Sequence, residues 1–182
     1  PMCMVSRMIK AKVPDAYTVF IGPCIAKKSE VKDQQIEGNA DAVLTFSEIR
    51  AIMKAKGVVL TAEENSYQEA SVFGKRYGNS GGVTNAVLEY LKETDNEIDA
   101  KVYRANGAAD CKKALLLMKV GRLPEDFIEG MACEGGCVGG PSAFQGEIAS
   151  KKNRDSLISC ADCRTIVENL SKIDMGAFEH HR

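Results

Sequence analysis

The stretch Glu129-Gly-Met-Ala-Cys133-Glu-Gly-Gly-Cys137-Val-Gly-Gly-Pro141 constrains this chain more than any other part of it. Its two cysteines lie four residues apart, with Gly135, Gly136, Gly139 and Gly140 around them. Glycine reaches positive φ and lets the backbone approach a bulky group, because no Cβ intervenes. A cysteine thiolate is a soft ligand that selects zinc, copper(I) or iron–sulfur clusters. The pattern describes a loop wrapped closely on an inorganic centre. Two buried thiols in a turn would satisfy the same spacing. A complete site needs further ligands from elsewhere in the chain.

Strand and helix signals alternate along the sequence. Residues 1–12 read as a helix with Met2, Val5, Met8 and Ile9 as its apolar positions, stopped near Pro14. Tyr17-Thr-Val-Phe-Ile21 has the β-branched and aromatic composition of a buried strand, and Ala42-Val43-Leu44 reads as the next one. Thr45 and Glu48 have capping-box spacing for a helix with Ile49, Ile52 and Met53 on one face and Gly57 just past its end. Residues 61–80 are polar and turn-rich, a length of loop that suggests function. Asn79-Ser80-Gly81-Gly82 then opens a helix with Val83, Val87, Tyr90 and Leu91 facing inward. Its first N–H groups would suit an anion, or simply form a turn. Lys101-Val-Tyr-Arg104 reads as a short strand, and Asp110 as the cap of a helix carrying Leu115, Leu116 and Met118 and ended by Gly121. Phe127-Ile128 leads, strand-like, into the Cys133 loop, and a last helix carries Ile166, Val167 and Leu170.

This alternation predicts an α/β fold: three-layer, a largely parallel sheet with helices on both faces. Ligands of such sheets sit beyond the carboxyl ends of the strands. Cys24 and Cys133 each follow a strand at that end, so two distant cysteine loops can converge on one site.

Composition narrows the chemistry. Of 182 residues, 45% are hydrophobic and 27% charged, with a net charge of −1 and both signs interspersed. Neither a basic stripe for nucleic acid nor a polybasic segment for anionic lipid is present. The sequence has no apolar run of the length that spans a membrane and no recognisable secretory signal. Seven cysteines, an odd number, point to a reducing compartment, the cytoplasm, where thiols bind metal or do redox chemistry. The opening Pro1-Met2-Cys3 reads like a piece of a longer chain.

Cys24 follows Gly22-Pro23 and precedes Lys27 and Lys28, whose positive charge favours a thiolate, whether as nucleophile or as metal ligand. His180 and His181 are the two histidines and lie at the extreme terminus, so no cysteine–histidine catalytic pair is evident. Cys160-Ala-Asp-Cys163 has a spacing used by zinc and redox sites, and Cys133, Cys137, Cys160 and Cys163 could together form a structural zinc module. Cys3 and Cys111 fall on helices and are most simply small core residues.

Two of these stretches are familiar. Gly22-Pro-Cys-Ile-Ala-Lys-Lys-Ser-Glu30 and Glu129-Gly-Met-Ala-Cys-Glu-Gly-Gly-Cys-Val-Gly-Gly140 resemble the second and third signature motifs of the iron-only hydrogenases. Asp41-Ala-Val-Leu-Thr45 with Glu48, and Asn79-Ser-Gly-Gly-Val-Thr84, resemble that family too, in the right order. The resemblance spans residues 1–145, a lobe of the large chain lacking the first cysteine motif, with 146–182 as a C-terminal helical extension. It implies a 4Fe-4S cluster bridged by a cysteine to a di-iron unit with carbonyl and cyanide ligands. By the same resemblance Cys24 and Cys133 are cubane ligands and Cys137 is the bridging cysteine. Lys27 hydrogen-bonds a cyanide, Met131 packs near the di-iron bridge, and Glu30 belongs to the proton route.

The implied reaction is the reversible reduction of protons to hydrogen, with electrons from a ferredoxin-like carrier and the di-iron unit built by cluster maturation proteins. The upstream remainder of the same large chain would supply the missing ligand, and the isolated piece would be inactive. Two departures stand out. Gly22 sits where the well-known enzymes have methionine, and Pro141-Ser-Ala-Phe144 follows Gly140 in place of a third glycine and Gln-Pro. Such changes are similar to those of the divergent, hydrogen-sensing branches, which gives the alternative of a regulatory iron–sulfur relative.

Overall fold

The computed structural model describes residues 1–182 apart from 60, 62–69, 97, 160, 162, 181 and 182. Two compact units partition the chain. The first holds residues 1–63, 141–144 and 173–182, the second 64–140 and 145–172.

The first unit runs α1 (Met2–Lys12), β1 (Val19–Ile21), α2 (Lys27–Glu30), β2 (Ala42–Leu44) and α3 (Phe46–Ala55). β1 and β2 pair in parallel, Val19 opposite Ala42 and Ile21 opposite Leu44. The Gly22 N–H continues the ladder to the Leu44 carbonyl at 3.1 Å. Met2, Ala40 and Val43 form its buried apolar cluster, with Phe20 and Val31 packed against them. Polar groups lock the strand edge: Asp41 accepts from the Thr18 N–H at 2.6 Å, the Thr18 hydroxyl at 3.0 Å and the Lys10 ammonium at 2.8 Å. The capping box forms as its spacing predicts, Thr45 and Glu48 exchanging hydrogen bonds at the start of α3. Gly57 follows that helix at φ +66°, in the left-handed region. Buried Arg7 donates to the Glu37 carbonyl at 2.7 Å and to the Glu179 carbonyl at 2.9 Å, holding residue 179 of the tail against α1.

The second unit contains α4 (Val72–Arg76), α5 (Gly82–Glu93), β3 (Val102–Asn106), α6 (Ala108–Lys119), β4 (Phe127–Met131), α7 (Glu147–Ser159) and α8 (Ile166–Leu170). β3 and β4 are parallel, in register from Val102–Phe127 to Asn106–Met131. α6 packs on both strands, and α5 packs against α4 and α8. The Glu93 carboxylate accepts the Ile166 and Val167 N–H groups at 3.1 and 2.8 Å, fastening α8 to the end of α5.

The α/β class and the parallel pairing are as the alternation predicts. The described strands form two separate two-stranded sheets. The helices of residues 27–30 and 72–76 carry no periodic signal in the sequence, because each is only about one turn long. Burial also differs in detail. Val19 and Ile21 are 43% and 45% exposed, because β1 has β2 as its one described strand neighbour. On α5 the inward positions are Gly82 and Thr84, whereas Val87 and Tyr90 are exposed. On α6 Ala114 is fully buried and Leu115, Leu116 and Met118 are more than half exposed, since close approach to the strands selects a small residue. α6 is capped by Gly107 at φ +98°, with Asp110 one turn in, where it accepts the Asn106 N–H at 3.1 Å and the Tyr103 hydroxyl at 2.8 Å.

Candidate metal centre

Cys133 lies two residues past the end of β4, and Cys137 opens a short 3-10 turn, Cys137–Gly139. Between them the chain doubles back through Gly135 at φ +77° and Gly136 at φ +91°, conformations that side chains resist. The turn is seated against residues 78–80. The Cys137 N–H donates to the Gly78 carbonyl at 2.7 Å, and Asn79 and Gly136 form an antiparallel bridge. A Cβ at Gly136 would lie 2.3 Å from the Gly78 oxygen and 2.7 Å from the Ser80 nitrogen, so the fit depends on glycine.

The other side of the loop is held by the β3–α6 turn. The Gly107 N–H donates to the Met131 carbonyl at 2.7 Å, and the Gly135 N–H to the Asn106 side-chain oxygen at 2.9 Å. Cys133 is half-buried and Cys137 exposed. The side-chain oxygen of Asn79 is buried beside this turn without a hydrogen-bond partner among the described residues.

The N-terminus of α5 does bind an anion, through Gly81 and Thr84, and the anion is the chain's own. Glu129, 4% exposed on β4, accepts the Gly81 N–H at 2.9 Å, the Thr84 N–H at 3.2 Å and the Thr84 hydroxyl. Neither Glu129 nor Asn106 was singled out from the sequence. The available signal is a carboxylate directly after the apolar pair Phe127-Ile128, a position that needs a hydrogen-bonding partner if it is buried.

Cys24 belongs to the first unit, three residues beyond β1 and half-buried. The Ser142 N–H bonds the Pro23 carbonyl beside it at 3.1 Å. Lys27 and Glu30 lie one turn apart on α2, and the Lys27 ammonium donates to the Glu30 carboxylate. Their side chains are 24% and 28% exposed. Lys28 instead reaches Glu48 at 2.7 Å. With the Thr45 N–H and hydroxyl, Lys28 draws the Glu48 pKa from 4.5 down to about 2, the lysine contributing most. Met131, the last residue of β4, is half-buried.

Residues 1–141 match the family described as iron only hydrogenase large subunit, C-terminal domain. The chain belongs to that family. Among its relatives, the periplasmic Fe hydrogenase large subunit of Nitratidesulfovibrio vulgaris is 31% identical over 170 residues, covering 74% of this chain and 40% of that protein. Iron hydrogenase 1 of Clostridium pasteurianum is 32% identical over 164 residues, covering 69% of this chain and 28% of that one. A solved hydrogenase whose subject is oxygen inactivation by degradation of the H-cluster 2Fe subcluster superimposes with a TM-score of 0.64 at 20% identity, over 93% of this chain and 61% of its own. A variant of the hydrogenase of Chlamydomonas reinhardtii gives 0.53 at 20% identity, over 92% and 58%. The chain thus spans 28–40% of the length of the two curated relatives and 58–61% of the two solved chains, and the structural likeness shows the fold.

An iron-only hydrogenase domain implies an iron–sulfur group, and the residues present fit one. Cys133 and Cys137 offer soft thiolates on a glycine cradle too tight for a Cβ. Among the described residues no three His, Cys, Asp or Glu side chains gather as a complete site. Cys163 is exposed, and Cys160, the other member of the pair read for zinc, lies outside the described residues. No described helix is long and apolar enough to cross a membrane.

Proposed function

We propose that the chain supplies Cys24, Cys133 and Cys137 as thiolate ligands of a 4Fe-4S cluster with an attached di-iron unit, in a large chain that reversibly reduces protons to hydrogen. The observation that carries this reading is the Cys133–Cys137 turn, two thiolates on a backbone pressed so closely to Gly78 that Gly136 admits no side chain. The family match runs through this turn and through Cys24. In this reading Cys137 is the bridging ligand, 1–145 is the catalytic lobe and 146–182 its helical extension.

When bound, the group supplies the electrons and the metal centre of the reaction. The side chains of this chain have narrower tasks. An ammonium carries three N–H donors. Lys27 can therefore hold the Glu30 carboxylate and still donate to an anionic diatomic ligand. The Glu30 carboxylate, partly exposed and fixed by that lysine, takes up and releases protons at its oxygens. Met131, half-buried at the end of β4, would pack its soft thioether near the di-iron unit. Three motif-matched thiolates leave a cubane one ligand short, so the activity is a property of the full large chain, and this piece alone is inactive. A ferredoxin-like carrier would bring electrons and maturation proteins the di-iron unit, in a reducing cytoplasm, with no part for nucleic acid or membrane.

The hydrogen-sensing alternative rests on the sequence departures at Gly22 and at Pro141–Phe144. Gly22 is buried, and a Cβ there would meet the Phe20 ring at 2.8 Å, so the methionine of the well-known enzymes fits only if that ring moves.

The test is iron, acid-labile sulfide and zinc analysis of the anaerobically purified full large chain, with infrared spectra after maturation. Carbonyl and cyanide bands abolished by Cys137→Ala are the expected result. Iron and sulfide without those bands would leave a cluster-binding relative. Bands with negligible turnover would favour the sensor. Absence of iron would overturn the proposal.

A further inference from the structure

We infer that Glu129 positions the Cys133–Cys137 turn, acting through the start of α5 and not through contact with either thiolate. The inference rests on the reading of that turn as a ligand loop. Cys137 is exposed, and its backbone is one of its anchors. That backbone is tied to Gly78 by the Cys137 N–H at 2.7 Å. Residues 78–81 are in turn pinned where the chain enters α5. There the Gly81 and Thr84 N–H groups and the Thr84 hydroxyl all converge on the Glu129 carboxylate. Glu129 stands four residues before Cys133 on the strand that carries the loop. The ring is closed: from Glu129 along the chain to Cys137, across to Gly78, along to Gly81, and back to Glu129.

The chemistry asks for a carboxylate. Three donors point at two oxygens, and an ionised carboxyl is acceptor-only. An amide would turn its N–H2 toward a backbone N–H whichever way it rotated. A helix N-terminus also favours negative charge. Glu129 is 4% exposed and Thr84 fully buried, so a lost acceptor there is not replaced by bulk water.

The experiment compares wild type, Glu129→Gln and Thr84→Val in the full large chain. Amide hydrogen exchange is read at Gly81, Thr84 and Cys137 in metal-free protein, with Val43 of the first unit as reference. Iron content and the electron paramagnetic resonance of the reduced cluster are read after loading. In Glu129→Gln, exchange at Cys137 should rise about tenfold, the size of one lost buried hydrogen bond, with Val43 unchanged and with a shifted spectrum or lost iron. Thr84→Val, which keeps the shape and removes one donor, should move the same signals less. Faster exchange confined to Gly81 and Thr84, with Cys137 as in wild type, would overturn the inference. If Glu129→Gln does not fold, Thr84→Val decides by the same criterion. Wild-type protein that takes up no iron would overturn the proposed function, while the exchange result would still decide the role of Glu129.

Discussion

Gly136 and Gly57 both sit at positive φ, +91° and +66°, yet they differ in what surrounds them. A Cβ at Gly57 meets nothing within 4 Å, whereas one at Gly136 runs into the backbone of residues 78–80. Gly57→Ala should therefore cost about 1 kcal/mol, the conformational penalty alone. Gly136→Ala adds a backbone clash and should cost about 2–4 kcal/mol, together with loss of iron binding. Urea unfolding followed by one probe in each unit separates the two effects, and equal costs would refute the cradle. The cysteines and glycines of this turn were legible in the sequence because the motif is local. Glu129 and Asn106 were not, because their partners stand 48 and 29 residues away and spacing says nothing about them.

Among elements, α3 shows what local spacing can specify and α6 what it cannot. Thr45 and Glu48 form their capping box because both partners lie within one turn, so sequence alone defines the contact. Thr45→Ala should cost about 1–2 kcal/mol in urea unfolding of the first unit. The face of α6 is decided by its neighbours. Leu115, Leu116 and Met118 look like a core stripe, but β3 and β4 approach so closely that Ala114 takes the contact. Ala114→Leu should destabilise by about 1–3 kcal/mol through overpacking, while Leu116→Gln should stay within about 0.5 kcal/mol. The reverse ranking would show that α6 buries its leucines. The sequence marks this helix by Asp110, its leucines and Gly121 but does not mark the face that packs, since a small residue such as Ala114 carries little hydropathy signal.

For the whole molecule, strand–helix alternation was enough to give parallel α/β architecture, while the division into two units depends on which segments pack together and left no mark in composition. Both units carry carboxylates whose charge the fold stabilises. In the first, Lys10, the Thr18 N–H and the Thr18 hydroxyl bring Asp41 from 3.8 to about 2, and Glu48 falls from 4.5 to about 2 beside Lys28. In the second, Asp110 is lowered by the Asn106 N–H first and then the Tyr103 hydroxyl. A carboxylate depressed in the folded state contributes stability above its ordinary pKa and loses it as pH falls through the folded value. Stability should therefore be level above about pH 5 and decline from about 4.5 toward 2. Partial exposure keeps each contribution small, as for other surface pairs. Asp41→Asn should flatten the decline in the first unit and leave the second as it was. Urea midpoints across this pH series, read by a probe in each unit, test both halves of the expectation. A first-unit profile unchanged by Asp41→Asn would mean that the Lys10–Asp41–Thr18 network does not hold β1 in solution.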